Sequence, residues 1–335
     1  MFNPKEMVIV QTVARISETL RCHTSRCLRS RFFKNNCQLC KDVCPVDAVT
    51  LQSSVSIDYD RCTQCMLCVG ACPNGAIESK FAPFHLLVKK LNDVPTPVLG
   101  CSAIADEKRW HADVPCLGIF SAEHFIAFSV LVRGVIQINL TRCHNCRNGS
   151  MVSALQQRFA EAIHIYPPVA KKVVLVTETH ALQFAPKMMG RRAMFGFLRE
   201  KATEEAARVF HLVSAEESKS TSYGVKALPS RRQLLNHVTR DFPVPELTRF
   251  GYPFVAVSNT CVLCPACSAI CPTGALVLHD TQEEGKVLKF DRSLCTGCGL
   301  CAEFCPKKAI GVCSHLAGDA PATVFEISIL KREEE

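Results

Sequence analysis

Two groups of cysteines near the C-terminus share the spacing C-x2-C-x2-C-x3-C, and a proline follows each group. The first group is Cys261, Cys264, Cys267 and Cys271, and the second is Cys295, Cys298, Cys301 and Cys305. In this spacing three thiolates on a short loop bind one iron–sulfur cubane, while the fourth, beyond the loop, reaches the neighbouring cubane. The spacing therefore predicts two [4Fe-4S] clusters, one held by Cys261, Cys264, Cys267 and Cys305 and the other by Cys271, Cys295, Cys298 and Cys301.

The N-terminal part of the chain repeats this pattern with one ligand missing, because Lys34 occupies the first cysteine position. One complete ligand set is predicted from Cys44, Cys62, Cys65 and Cys68. The other set has three members, Cys37, Cys40 and Cys72, and needs a fourth ligand from Cys27 or Cys22. We favour Cys27, because the loop between Cys27 and Cys37 can close at a modest entropic cost. A three-iron cluster, or a water or another side chain at the fourth iron, is the alternative.

The region between the two repeats contains apolar strand candidates at residues 97–101, 114–116, 135–140 and 172–177, with helical stretches between them. This alternation predicts a parallel α/β unit. Ser121 is a predicted helix start, and two further amphipathic helices are predicted at residues 150–163 and 187–209.

Four more thiols follow the predicted strands of this region, namely Cys101, Cys116, Cys143 and Cys146. Because open α/β sheets bind ligands at the carboxyl ends of their strands, these thiols predict a metal site. A fifth iron–sulfur cluster, a tetrathiolate zinc site and ordinary buried cysteines are the three alternatives. His144 is expected at the surface, and Cys313 is expected to be a buried thiol.

The predicted fold class is α+β, with two ferredoxin-like dicluster modules flanking an inserted α/β domain that has a small parallel sheet. The expected segments are a lead-in at residues 1–20, a dicluster module at 21–82, the inserted domain at 83–250, a second module at 251–312 and a tail at 313–335. A module of about 55 residues has little apolar interior, so we expect the clusters to form its core.

Residues 258–312 resemble a bacterial-type two-cluster ferredoxin, and residues 27–80 resemble a variant of it that departs from the pattern at Lys34. The resemblance implies one-electron transfer, as in the polyferredoxin-like subunits of larger complexes. Residues 101–146 are similar in cysteine spacing to the delta subunit of the hydrogenases that feed heterodisulfide reductase, a small α/β protein with an iron–sulfur centre. The implied partners are a tungsten, molybdenum, nickel–iron or flavin oxidoreductase and a second redox protein, in a hetero-oligomer.

The net charge and the composition limit the compartment in which the protein is expected and the classes of partner that it is expected to bind. The net charge is +8, but four oxidised cubanes with their thiolates contribute about −8, so no nucleic-acid partner is expected. The first residues lack an export signal, and cysteines in such a chain usually bind metals or act in catalysis. We therefore expect a cytoplasmic protein. No membrane span is expected, because the most apolar window, residues 119–140, contains Glu123, His124 and Arg133.

The function predicted from these features is a non-catalytic electron-transfer subunit that relays single electrons between a catalytic oxidoreductase and another redox partner. The alternative is an oxidoreductase whose own active site is an open metal site in the middle domain. No general acid or base is identifiable by spacing, which counts against that alternative. A docking surface is expected around Arg191, Arg192, Phe195 and Phe197.

Overall fold

The computed structural model describes residues 20–52, 54–79, 84–103, 108–186, 224–242, 247, 251–281, 285–313 and 327–330. Within these residues the protein is a mixture of short helices and strands, with a small parallel sheet in the middle of the chain. The helix predicted at residues 187–209 and the docking surface predicted around Phe195 lie outside the described residues.

The N-terminal unit consists of two antiparallel strand pairs joined by cysteine-bearing loops and short helices. Its elements are β1 (Leu20–Cys22), α1 (Leu28–Arg31), α2 (Leu39–Asp42), β2 (Val49–Leu51), β3 (Val55–Ile57), α3 (Leu67–Ala71) and β4 (Ile77–Ser79). The strands β2 and β3 form a hairpin, and β1 pairs with β4 so that Leu20 lies opposite Ser79. Strands β2 and β4 each follow a Cys-Pro turn, whereas β1 precedes the first cysteine run.

The middle of the chain is a four-stranded parallel sheet packed against helices. Its elements are α4 (Phe84–Asn92), β5 (Val98–Cys101), β6 (Ala112–Val114), α5 (Ala122–Leu131), β7 (Ile136–Asn139), α6 (Met151–Ile165), α7 (Val169–Lys172) and β8 (Val173–Val176). The strand order is β6-β5-β7-β8, and all three pairings are parallel. All four residues of β5 are buried, as expected for a strand covered on both faces. The predicted parallel sheet is confirmed.

Helix α5 begins where the sequence predicted. Ser121 is the N-cap residue, and its backbone N–H donates to Nδ1 of His124 at 3.2 Å, which gives a capping box with histidine in the place of the usual Glu or Gln. Phe125 and Phe128 of this helix are fully buried. The helix has ten residues, and no helix in the described part of the chain combines the length and apolarity that a bilayer crossing requires.

The C-terminal unit repeats the strand pairing of the N-terminal unit. Helix α8 (Ser230–Asp241) precedes this unit and packs into the core of the middle domain through Leu235 and Val238. The elements of the C-terminal unit are β9 (Phe254–Val257), α9 (Ala266–Ile270), β10 (Leu276–Thr281), β11 (Gly285–Asp291), α10 (Leu300–Phe304), β12 (Ile310–Cys313) and β13 (Ile327–Leu330). The hairpin β10–β11 corresponds to β2–β3, and the pair β9–β12 corresponds to β1–β4. Residues 313–335, expected to be a tail, contain β13, which pairs with β11.

One thiol prediction is wrong in this unit. Cys313 was expected to be buried after the last strand, but it is the final residue of β12 and is exposed. The reason is the alternation of side chains along the strand, since Ile310 faces the interior and Cys313, three residues later, takes the opposite face.

Candidate metal centres

The four Cys-Pro turns share one backbone conformation that prepares each preceding cysteine to bind. The third residue after the cysteine has a positive φ in every case, and these residues are Asp47 (49°), Gly75 (59°), Gly274 (77°) and Lys308 (51°). This left-handed residue reverses the chain, so that the next backbone N–H can point back at the cysteine sulfur. Such N–H groups donate to sulfur from Ala48 to Cys44 (3.2 Å), from Ala76 to Cys72 (3.2 Å) and from Ala309 to Cys305 (3.4 Å).

The loops that begin at Cys62 and Cys295 are also alike in backbone conformation. Gln64 and Met66 have φ values of 59° and 60°, and the residues at the same positions of the last loop, Gly297 and Gly299, have 68° and 73°. Two unrelated residue types therefore adopt the conformation that glycine favours. The Cys261 loop has the same spacing and a positive φ at Leu263 (52°), but Pro265 at the second position has φ −76°, because proline cannot adopt a positive φ.

In the C-terminal unit the structure brings the predicted thiols together. Burial raises the pKa of Cys295 to about 12, and the neighbouring Cys298 and Cys271 add to the increase. Burial likewise raises the pKa of Cys301, with Cys298, Cys295 and Cys271 contributing. In the other set, burial raises the pKa of Cys267 to about 11, with Cys261 and Cys264 contributing. Cys305 lies in the same buried cluster as Cys267.

The N-terminal unit contains two corresponding groups of thiols. Burial raises the pKa of Cys68, and Cys65, Cys62, Cys40 and Cys44 all add to the increase. Burial also raises the pKa of Cys40 to about 12, with Cys72, Cys27 and Cys37 adding. Because Cys40 of one thiol group contributes to the raised pKa of Cys68 in the other, the two thiol groups are neighbours.

Cys27 and Cys22 occupy different positions relative to the incomplete group. The negative charge of Cys27 contributes to the raised pKa of both Cys37 and Cys40, beside the larger effect of burial. Cys22 is at the end of β1, and burial followed by Cys27 and Cys72 raises its pKa to about 11. Cys22 also contributes to the raised pKa of Tyr59, which lies beside Cys62 and Cys68 of the other thiol group.

Lys34, at the position of the missing cysteine, lies on the surface with its ammonium group 5.7 Å from the ring centroid of Phe33. Two basic residues near the incomplete thiol group of Cys37, Cys40 and Cys72 instead form contacts with other parts of the protein. Arg26 forms an ion pair with Glu78 at 2.8 Å. Arg31 is only 3% exposed and donates to backbone carbonyls, including that of Ile270 at 3.0 Å.

The four thiols of the middle domain lie together at the carboxyl edge of the sheet. Cys101 ends β5, Cys116 follows β6, and Cys143 and Cys146 follow β7. A hydrogen bond with Cys101, together with burial, raises the pKa of Cys116 well above its usual value. Burial raises the pKa of Cys143 to about 12, with Cys101 and Cys146 adding to the increase.

The surroundings of these thiols include a cleft and a surface histidine. A small open cleft with a cavity volume of about 60 Å³ lies beside Cys101 and is lined by Arg109, Trp110, Asn139, Thr141, Arg142 and Thr179. His144 is exposed, as predicted. Among the described residues, no three His, Cys, Asp or Glu side chains are close enough together to hold a single metal ion. The zinc site stays a prediction.

The middle-domain thiols are adjacent to the N-terminal unit. A Cβ atom on Gly118, two residues after Cys116, would lie 2.2 Å from the carbonyl oxygen of Cys65. Nδ2 of Asn148, two residues after Cys146, donates to the carbonyl oxygen of Thr63 at 3.1 Å. The two cysteine-bearing regions are therefore in direct backbone contact.

The N-terminal and C-terminal units meet through a third, smaller apolar cluster. Leu28, Ile270 and Leu300 form its buried part, and Cys37 and Cys298 pack against it from opposite units. Nζ of Lys226 donates to the carbonyl oxygen of Cys271 at 2.7 Å, close to the carbonyl that Arg31 contacts. These inter-unit residues were not found from the sequence, since neither their type nor their spacing distinguishes them from ordinary polar residues.

The grouped thiols fit an iron–sulfur core. Several buried thiolates near one another are unfavourable unless a cation is present, and buried charges are normally paired or bound to metals. A coordinating metal reverses the raised pKa, because it deprotonates the thiol outright. The backbone N–H groups directed at sulfur suit a thiolate as well. When bound, a [4Fe-4S] cluster supplies one-electron transfer at a potential set by net charge, hydrogen bonds to sulfur and solvent exposure.

Comparisons with known protein families support iron–sulfur binding by these thiol groups. The 4Fe-4S dicluster domain family matches residues 260–309, and two 4Fe-4S binding domain families match residues 55–78 and 24–47. The last match contains Cys27 and not Cys22. These matches show that the chain carries ferredoxin-type 4Fe-4S domains in both its N-terminal and its C-terminal region, with electron transport as their chemistry.

Three curated relatives match short segments of the chain. An uncharacterized ferredoxin of Methanocaldococcus jannaschii is 51% identical over 47 residues, which are 14% of this chain and 31% of the relative. Pyruvate synthase subunit PorD of Thermotoga maritima is 44% identical over 50 residues (15% of this chain, 46% of the relative). Pyruvate synthase subunit PorD of Methanothermobacter marburgensis is 42% identical over 52 residues (16% of this chain, 54% of the relative). The chain thus spans a third to about half of the length of these relatives.

Proposed function

We propose that the protein is an iron–sulfur electron-transfer subunit that relays single electrons between a catalytic oxidoreductase and a second redox partner. The observation that carries the proposal is the continuity of the thiol groups, which follow one another through contacting segments from the middle domain to the C-terminal unit. A carrier of one electron needs one or two clusters, whereas a series that crosses the molecule suits a relay.

Four cubanes are proposed, each with its own ligand set. We assign them to Cys44, Cys62, Cys65 and Cys68 (centre A); to Cys27, Cys37, Cys40 and Cys72 (centre B); to Cys271, Cys295, Cys298 and Cys301 (centre C); and to Cys261, Cys264, Cys267 and Cys305 (centre D). The family match at residues 24–47 and the influence of Cys27 on both Cys37 and Cys40 support Cys27 as the fourth ligand of centre B. A fifth centre, an iron–sulfur cluster, is assigned to Cys101, Cys116, Cys143 and Cys146.

The contacts between ligand-bearing segments give these centres an order. The middle-domain thiols adjoin centre A through Gly118 and Cys65. Centres A and B share the N-terminal unit, B and C face each other across the cluster of Leu28 and Ile270, and C and D share the C-terminal unit. The proposed order is therefore middle-domain site, A, B, C and D, with the two ends at different parts of the molecule.

The chain's own residues bury the ligands and fix their positions. Leu28 and Leu300, 6% and 1% exposed, exclude water between centres B and C. Arg31 of the N-terminal unit contacts the C-terminal unit through the carbonyl of Ile270, next to Cys271, and Lys226 holds the carbonyl of Cys271 itself. A fixed separation matters because electron transfer through protein depends on the distances that the protein sets.

The proposed partner is the catalytic part of an oxidoreductase complex, of the tungsten, molybdenum, nickel–iron or flavin type, in a hetero-oligomer. Two of the relatives are subunits of pyruvate synthases, which supports a place in such a complex. A cytoplasmic location is proposed with it, and no nucleic acid is expected as a partner.

The test uses the full chain, isolated under anaerobic conditions from its own cells. We expect a catalytic oxidoreductase subunit to co-purify in fixed ratio and to oxidise the dithionite-reduced chain, seen as recovery of the visible cluster absorbance. A Cys298→Ser variant should still co-purify but transfer electrons more slowly, whereas Cys313→Ser, which changes an exposed thiol outside the centres, should behave as the native chain. A chain that purifies alone and passes electrons to no oxidoreductase contradicts the proposal.

The second candidate is an enzyme with its own site in the middle domain. The observation that favours it is the open cleft beside Cys101, lined by Arg109 and Arg142. Reduction of a small anionic substrate by the isolated chain, with an artificial electron donor and no partner, supports this candidate. Substitution of Arg142 by Gln should then lower that activity, while electron transfer to a partner stays unchanged.

A further inference from the structure

One side chain of the N-terminal unit reaches the ligand loop of the C-terminal unit. Asn74 follows the Cys72-Pro73 pair and is 2% exposed. Oγ1 of Thr296, in the loop between Cys295 and Cys298, donates to Oδ1 of Asn74 at 2.5 Å. The contact joins residues 222 positions apart in the sequence, at the junction where Cys37 and Cys298 approach each other.

The amide nitrogen of Asn74 is buried and has no acceptor among the described protein atoms. An amide N–H in this position is costly to leave without a partner. Because Thr296 holds Oδ1, the amide orientation is fixed, and Nδ2 is directed to the other side. The loop that holds Oδ1 also carries Cys295 and Cys298, so the sulfur atoms of a cluster bound at centre C are the acceptors that this buried donor lacks.

We propose that the amide N–H of Asn74 donates to a sulfur of the cluster bound at centre C and so raises the reduction potential of that centre from the other ferredoxin-type unit. This inference rests on the proposed function, because it requires a cluster at centre C. The physical reason is that a hydrogen bond to a ligand sulfur stabilises the more negative, reduced state. The potential of centre C then depends on contact between the two units, and electrons arriving from centre B meet a better acceptor.

The test compares midpoint potentials by EPR-monitored redox titration of the anaerobically purified full chain. Asn74→Leu removes the donor and keeps a side chain of similar size. We expect one cluster to become harder to reduce by about tenfold in its equilibrium constant, which is 59 mV for one electron. Thr296→Val frees Asn74 from its fixed orientation and should shift the same cluster in the same direction by a smaller amount.

The matched control is Asn92→Leu, the same change at a middle-domain asparagine whose amide donates to the carbonyl of Leu131 at 2.9 Å. It should leave every potential unchanged. If Asn74→Leu proves unable to hold its iron, Asn74→Ala, which also removes the amide donor but adds no apolar bulk, decides in its place. Unchanged potentials in a variant that retains all its clusters overturn the inference and leave the relay intact. A native chain that lacks a cluster assignable to centre C overturns the proposed function itself.

Discussion

His124 on α5 provides a pH-dependent test of how the middle domain packs. Its ring lies between Phe84 and Phe120, with centroid distances of 5.5 Å and 5.7 Å. Burial lowers the pKa of His124 from 6.5 to about 4, with opposing effects from the charged groups that face it. Glu123 on the same helix raises the pKa, while Arg231 on α8 and Arg158 on α6 lower it.

The direction of the pH effect on folding stability depends on which state of the chain, folded or unfolded, binds the proton at His124. Between pH 6.5 and about 4 the unfolded chain binds a proton at this histidine and the folded chain does not. The folding stability from the neutral ring is therefore complete above pH 6.5 and is lost as the pH falls through this window. Since one pH unit corresponds to about 1.4 kcal/mol per proton, lowering the pH from about 7.5 to about 5.5 should cost about 1.3 kcal/mol.

The perturbation is His124→Gln, because glutamine can accept the capping hydrogen bond from Ser121 but does not titrate. Urea unfolding at both pH values can be followed by the fluorescence of Trp110, the one tryptophan of the chain, which is 9% exposed. The variant should lose less stability than the native chain on acidification, by about 1.3 kcal/mol. The control is His237→Gln, at a side chain that is 61% exposed. Equal losses in the native chain and His124→Gln would refute the reasoning.

Two further predictions concern the ligands and the contact between the middle domain and centre A. Cys27→Ser should lose one cubane, about four irons, by iron analysis and EPR, whereas Cys22→Ser should retain all of them; the reverse result would show that the ligand of centre B is misassigned. Gly118→Ala would place a Cβ 2.2 Å from the carbonyl oxygen of Cys65, so it should destabilise this contact by about 1–3 kcal/mol and speed the release of iron to a chelator. Gly311→Ala, with nothing within 4 Å of its Cβ, should not, and equal release rates in the two variants would contradict the predicted clash.

The cysteine loops and the parallel sheet could be predicted because their signals are local. Ligand spacing predicts the loops, and continuous apolar runs such as those of β5 and β8 predict strands. The second strand of the sheet in chain order, β6, was expected at residues 114–116 but is Ala112–Val114. Pro115 explains the difference, because it has no N–H for the strand hydrogen bonds and so ends the pairing before Cys116.

The strand pairs β1–β4 and β9–β12, and the junction between the two terminal units, could not be predicted in the same way. These contacts join distant segments, as Asn74 and Thr296 do, and their residues are ordinary polar or apolar types. Cys313 was misjudged for a related reason, since whether a thiol at the end of a strand is buried depends on the register of its pairing with β9.

The most direct test of the account is a measurement of iron, acid-labile sulfide and zinc per chain on anaerobically purified protein, together with EPR of the reduced state. Four cubanes predict about 16 irons with equal sulfide, and a fifth cluster in the middle domain raises the iron to about 18–20. A well-folded chain that binds eight irons or fewer would contradict the continuous series of centres from which the relay is inferred.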